Sequence, residues 1–240
     1  MKEPTVLYED DEVVVVNKPS GLVVHSDGKT EEKTLVDWIM EKYPEMKDIG
    51  EPGKTSTDEM VPRPGIVHRL DRETSGVIIL AKTKESFQNL KKQFQDREIE
   101  KLYEAFVVGE VKKDEDVIDR AISRSGRDFR MWTAQRGGRG EERPAVTMYK
   151  VLNRKNGYSF VQVTPKTGRT HQIRVHFKAI NYPLVADTLY GKGRENDLGF
   201  ERVALHSRMV TWSDTKAEKH TVTAPYPEDF EKAIMILQSA

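Results

Sequence analysis

The chain has 240 residues, with 39 basic and 39 acidic side chains and so no net charge; 37% of residues are hydrophobic and 32% charged. That length suits one large domain or two small ones, with a sizeable core under a strongly charged surface. There is no cysteine, which excludes disulfides, thiolate nucleophiles and cysteine-held metals together.

The N-terminus, Met1-Lys2-Glu3-Pro4, leads into acidic residues rather than an apolar signal core, and the apolar runs are far short of a membrane span. A cytoplasmic protein is expected. Val13–Val16 and Leu22–His25 read as two strands joined by a Pro-Ser-Gly turn. Leu35, Val36, Ile39, Met40 and Tyr43 recur at helical spacing, and Pro44 follows as a stop. From Glu45 to Val61 the chain reads as a polar loop. Val77–Ala81 is an apolar run consistent with a buried strand, and Phe87, Leu90 and Phe94 mark a second amphipathic helix. Strand-like segments follow at Tyr103–Val108, Val117–Ile122, Phe129–Thr133, Ala145–Leu152 and Tyr158–Thr164. Ile173, His176, Phe177 and Ile180 share a helical face. Strand signals return at Val203–Leu205 and Met209–Trp212, and a C-terminal helix begins near Tyr226 with Phe230, Ile234 and Leu237 inward. Many consecutive strands with a few segregated helices imply an α+β fold with a mixed, mostly antiparallel sheet.

The charge is unevenly spread. Between Arg120 and Ile180 there are 14 Lys and Arg against 3 Asp and Glu, and the remainder carries 25 against 36. Such asymmetry is the footprint expected for a polyanion if those side chains share a face, unless folding brings acidic partners to them. Within this segment Arg124 to Gly140 is rich in Arg and Gly, with Phe129 and Trp132 interleaved. Arginine with aromatics suits phosphate contact and base stacking, so Arg124 and Arg127 are candidate RNA contacts. Large aromatics usually face a core, and that is the expectation for Phe129 and Trp132.

His68-Arg69-Leu70-Asp71-Arg72-Glu73-Thr74-Ser75-Gly76 places a carboxylate between two arginines, in a turn that feeds the Val77–Ala81 run. Flanking cations favour an ionised carboxylate, suited to a nucleophile or a base; a charged turn with a surface ion pair is the plainer alternative. The string H-R-L-D-x-x-T-S-G resembles the signature of the RluA-type pseudouridine synthases. Further segments match that family in order: Asn17–His25, Lys101–Val107, Thr167–His176, Tyr182–Asp187 with Tyr190-Gly191, and Ala204–Ser207.

The resemblance implies a single catalytic domain over residues 1–240, with sheet halves flanking a central RNA-binding cleft. It implies isomerisation of uridine to pseudouridine in ribosomal or transfer RNA, ribosomal slightly favoured. Because the matching segments begin near residue 6, the extra N-terminal RNA-binding domain of some longer relatives is not expected. Asp71 would act at the ribose, as nucleophile at C1′ or base at C2′. Tyr103 would pack on the uracil, and Arg174 would pair with Asp71; a phosphate contact is the other reading of Arg174. Arg69 would fill the gap left by a flipped base. His68, Arg169, His171 and Gln172 are the remaining RNA-side candidates, His68 being more readily a structural residue of the turn. His171 and His176 lack the spacing of a helical zinc pair, and no Gly-rich phosphate loop occurs, so neither metal nor nucleotide cofactor is expected. A monomer is expected, and a non-catalytic RNA-binding protein is the alternative.

Overall fold

A computed structural model of the chain describes residues 2–26, 32–54, 60–193 and 196–239. In chain order the elements are β1 (Thr5–Glu9), β2 (Val13–Lys18), α1 (Leu35–Lys42), a 3-10 turn (Pro44–Asp48), β3 (Gly53–Lys54), β4 (Met60–Val61), β5 (Ser75–Ala81), α2 (Lys84–Asp96), β6 (Glu100–Val108), β7 (Glu115–Asp119), β8 (Ile122–Ser125), β9 (Trp132–Thr133), β10 (Gly138–Arg143), β11 (Val146–Lys155), β12 (Tyr158–Pro165), α3 (Gln172–Ala179), β13 (Leu205–Ser213), β14 (Lys219–Thr223) and α4 (Glu228–Gln238). The fold is α+β and its strand pairing is mostly antiparallel, as expected. The chain forms two compact units, Met1–Lys101 with Ser207–Pro225, and Leu102–His206 with Tyr226–Ala240.

In the first unit the strand order is β1-β2-β5-β13, with β14 paired to β13. β2 and β5 are continuous apolar runs because both faces are covered: Val13 to Val16 and Val77 to Ala81 are all buried. One face packs with Phe87 and Leu90 of α2, Ile99, Val210 and Trp212. α1 and α2 each start with a capping box, Thr34 with Asp37 and Thr83 with Ser86, which satisfies N-terminal N–H groups that the helix leaves open. The expected strand at Leu22–His25 is an isolated bridge from Val23 to Thr34; β2 pairs instead with β1 and β5.

In the second unit the order is β6-β12-β11-β7. Alternate residues of β6 and β12 face opposite ways. Ala105, Val107, Val161 and Val163 pack with Ile173 and Phe177 of α3, and Phe106, Tyr158 and Phe160 with Phe230, Ala233 and Leu237 of α4. The Arg/Gly-rich segment forms its own antiparallel sheet, β10-β8-β9. Its apolar side, with Ile122, Met131, Trp132 and Ala134, packs with Val175 of α3 and Tyr190. The strand expected over Phe129–Thr133 is confined to Trp132 and Thr133.

Candidate active site

Asp71 lies in the first unit, in a turn closed by the Thr74 N–H donating to the Asp71 carbonyl at 3.1 Å. The turn is held from the Asn17–His25 segment. Lys18 is fully buried, and its Nζ donates to the carbonyls of Pro19 (2.8 Å), Leu22 (2.8 Å) and Arg72 (3.1 Å). The Arg72 carbonyl also accepts the Gly21 N–H at 2.9 Å. The residue after Asp71 is thus gripped by two donors that lie more than 50 positions earlier in the chain. Beyond the turn Gly76 adopts φ +110°, and a Cβ there would fall 2.1 Å from the Ser207 carbonyl oxygen. Only glycine lets β5 leave the turn so close to that backbone. Leu70 is buried and its neighbour Arg69 exposed; Asp71 is half-buried. The Arg72 guanidinium is paired with Glu32, a carboxylate that its sequence neighbours do not announce.

His68 sits inside this unit. Its Nε2 accepts the Ile79 N–H at 3.0 Å, and its ring stacks on Phe94 at 4.8 Å between centroids. Burial, then the charge of Lys101, pushes its pKa down to about 3. A neutral ring whose Nε2 is occupied by backbone is a structural residue of the turn, not a base contact. Lys101 lies over the same Phe94 ring at 5.5 Å, and burial lowers its own pKa.

Tyr103 and Arg174 lie in the second unit. Tyr103 stands opposite Val163 in the β6–β12 ladder, half-buried against the core that α3 covers. Arg174 is 8% exposed and bidentate to Asp187, with Nε–Oδ2 2.7 Å and Nη2–Oδ1 2.8 Å. Asp187 also accepts the N–H groups of Leu189 and Tyr190, both at 3.0 Å, and the Arg174 guanidinium lies 5.0 Å from the Tyr190 ring centre. Such burial and pairing do not fit a simple phosphate contact from a helix surface. Asp187 and Tyr190 were legible only as members of a matching string; their pairing with Arg174 needed the fold.

Residues ahead of α3 divide by direction. Gln172 is buried: its Oε1 accepts from Thr167 Oγ1 (2.6 Å) and Arg169 N–H (3.0 Å), and its Nε2 donates to Val146 O (3.0 Å) and Thr147 Oγ1 (2.9 Å). Its amide is consumed within the fold, which corrects its placement among the RNA contacts. His171, half-buried at φ +55°, has Nδ1 2.9 Å from Tyr190 Oη. Arg169 reaches the Pro144 carbonyl at 3.2 Å and is partly exposed.

In the three-stranded sheet the Arg124 guanidinium lies 4.2 Å from the Trp132 ring centre and donates to the Phe129 carbonyl. Trp132 is half-buried, and its backbone N–H donates to Tyr190 Oη at 3.0 Å. Phe129 departs from expectation: it is 84% exposed, at the tip between the exposed Arg127 and Arg130. Folding neutralises part of the basic segment through Arg130–Asp128, Arg143–Glu141 and Arg154–Asp114. Arg124 and Arg127 stay exposed. Among the described residues no helix is long and apolar enough to cross a membrane.

The family model for RNA pseudouridylate synthase matches residues 12–179. An uncharacterised RNA pseudouridine synthase of Synechocystis sp. is 34% identical over 97% of this chain and 68% of its own length. The ribosomal large subunit pseudouridine synthase D of Neisseria meningitidis serogroup B is 37% identical over 97% of this chain, which spans 61% of that relative. Among solved structures, human RNA pseudouridylate synthase domain containing 1 superposes with a TM-score of 0.74 over 99% of this chain and 96% of its own, at 22% identity. That last likeness carries the fold alone.

Proposed function

The chain belongs to the RNA pseudouridylate synthase family, and from that membership we propose that it isomerises specific uridines of large-subunit ribosomal RNA to pseudouridine, as a cytoplasmic monomer whose two units make up one synthase domain. The bond from ribose C1′ to uracil N1 breaks, the uracil turns, and C5 bonds to the same C1′; the C5 proton leaves and N1 gains one. Product and substrate have the same atoms and oxidation state, so the reaction requires no redox partner.

The observation that carries the reading is the clamp on the Asp71 turn. Lys18 and Gly21 converge on the Arg72 carbonyl, and Gly76 seats the turn against the Ser207 backbone. Such anchoring holds a half-buried carboxylate in one place, as reaction at a single ribose carbon demands. Asp71 is the group acting at the ribose, as nucleophile at C1′ or base at C2′. Tyr103 packs on the uracil and takes part at C5, and Arg174 orients the reacting carboxylate. Arg69 fills the stack behind the flipped base, and Arg124, Arg127, Arg169 and His171 contact RNA. The likeness to the Neisseria ribosomal large subunit synthase supports ribosomal over transfer RNA as the substrate.

The test maps pseudouridine by chemical sequencing of ribosomal and transfer RNA from cells with the protein, without it, and with Asp71→Asn. Sites lost in the deletion and not restored by the folded Asn variant identify the target and the role of Asp71. Restoration by the Asn variant would remove Asp71 from the chemistry, and lost sites confined to transfer RNA would overturn the ribosomal assignment.

A further inference from the structure

Among the described residues of the first unit, the Arg63 and Arg69 guanidinium groups and the His25 ring lie near one another with no ion pair. Arg63 is seated where Gly53 leaves room: a Cβ on Gly53 would fall 1.9 Å from Arg63 Cζ and 2.0 Å from its Nε. The β3 backbone thus receives the guanidinium at the one position without a side chain. The Nε is buried and has no hydrogen-bond partner. Arg63 senses the positive charge of Arg69, and His25 senses both. Among the described residues none of the three is in an ion pair, whereas Arg72, Arg130, Arg154, Arg174 and Arg202 each have a carboxylate. Arg69 is two residues before Asp71.

The like charges of Arg63 and Arg69 repel one another, and desolvating the unsatisfied N–H of the half-buried Arg63 is costly. An anion brought from outside offsets both costs. A phosphate fits the chemistry, since a guanidinium fork meets its oxygens with paired donors and an imidazole N–H adds a third. We propose that Arg63, Arg69 and His25 form a phosphate cradle beside the Asp71 turn, filled by the RNA backbone next to the target uridine. The identification of the phosphate as RNA rests on the synthase reading above; the cradle itself rests on the fold. It gives Arg69, His25 and Arg63 a shared part in holding the backbone.

His25 supplies an internal probe. Burial and then the charges of Arg63 and Arg69 lower its pKa, so an anion bound among them raises it. The full chain is titrated by NMR, with the His25 ring assigned by His25→Gln. Inorganic phosphate is compared with chloride at matched ionic strength, because screening alone also relieves the repulsion. Phosphate is expected to raise the His25 pKa beyond chloride, and Arg63→Gln to abolish the difference. Against transcribed large-subunit ribosomal RNA, Arg63→Gln is expected to weaken binding about 10- to 100-fold and to flatten the log–log salt slope by about 0.7. Arg63→Lys keeps the charge and most of the slope.

Equal shifts with phosphate and chloride, with an unchanged salt slope in Arg63→Gln, overturn the cradle. Should Arg63→Gln misfold, the wild-type titration and Arg63→Lys decide. A phosphate-specific shift in a protein that isomerises no RNA uridine would sink the synthase reading and leave the cradle standing. RNA turnover by a protein whose His25 ignores phosphate does the reverse.

Discussion

Replacing Lys18 with Met tests whether the Asp71 turn is held from beneath. Met matches the length of the Lys stem and donates no hydrogen bond. Three carbonyls lose a charged donor, and the Arg72 oxygen keeps the Gly21 N–H. Two buried carbonyls left short cost about 1–3 kcal/mol each. Against that, the variant no longer buries an ammonium, an effective penalty of several kcal/mol. The two contributions largely offset, leaving a loss of about 0–3 kcal/mol, which at about 2–4 °C per kcal/mol for a chain of this size lowers Tm by at most about 12 °C.

The stronger consequence is in turnover. The freed carbonyl belongs to the residue after Asp71, and a misplacement of about 1 Å at a reacting group costs about 100-fold. Single-turnover isomerisation of transcribed ribosomal RNA, at a temperature where circular dichroism shows the variant folded, should fall about 10- to 100-fold with RNA affinity little changed. A variant that melts with wild type and turns over at the wild-type rate would refute the clamp.

Arg174→Ala leaves Asp187 buried without its partner and should cost about 3–5 kcal/mol in denaturant unfolding. The double replacement Arg174→Met with Asp187→Leu should recover only part of that stability, because the Leu189 and Tyr190 N–H groups lose their acceptor, and no isomerisation; recovery of turnover would reduce Arg174 to packing. His68 is neutral in the folded chain with a pKa pushed down to about 3, whereas the unfolded chain protonates it near 6.5. Its contribution is therefore fully present above pH 6.5 and lost as pH falls toward 3, at up to about 1.4 kcal/mol per pH unit. In chemical denaturation between those limits, His68→Gln should flatten the dependence on pH by one proton; parallel curves would show that His68 titrates normally. Phe129→Ser should leave Tm unchanged, because the ring is 84% exposed. Filter binding should weaken by about 1–3 kcal/mol if a base stacks there, and unchanged affinity would assign the tip to solvent.

Some of this protein was legible without its fold. The runs at Val13–Val16 and Val77–Ala81 and the spacing of Phe87, Leu90 and Phe94 identify β2, β5 and α2, because hydrophobic periodicity is a local property that burial only has to satisfy. The ordered strings around Asp71, Tyr103 and Arg174 identify the family for a related reason: they are contiguous in the chain. β1 and β14 escaped notice, since half their residues or more face solvent and their pairing, not their composition, makes them strands. Gly138–Arg143 escaped too: its residues are all exposed, and the register with β8 defines it.

What only the tertiary structure decided is which group meets which. Lys18 lies 54 residues from the carbonyl it holds, Arg72 lies 40 from Glu32, and Gln172 lies 25 from Thr147. A side chain's type states what it can donate or accept, and nothing in its neighbours states what the folded chain brings within 3 Å of it. Arg174 and Gln172 stand two apart in one matching string, and both turn inward, one to a carboxylate and one to a hydroxyl and backbone. Phe129 and Trp132, three apart, part ways because a packed face lies under one and solvent lies over the other.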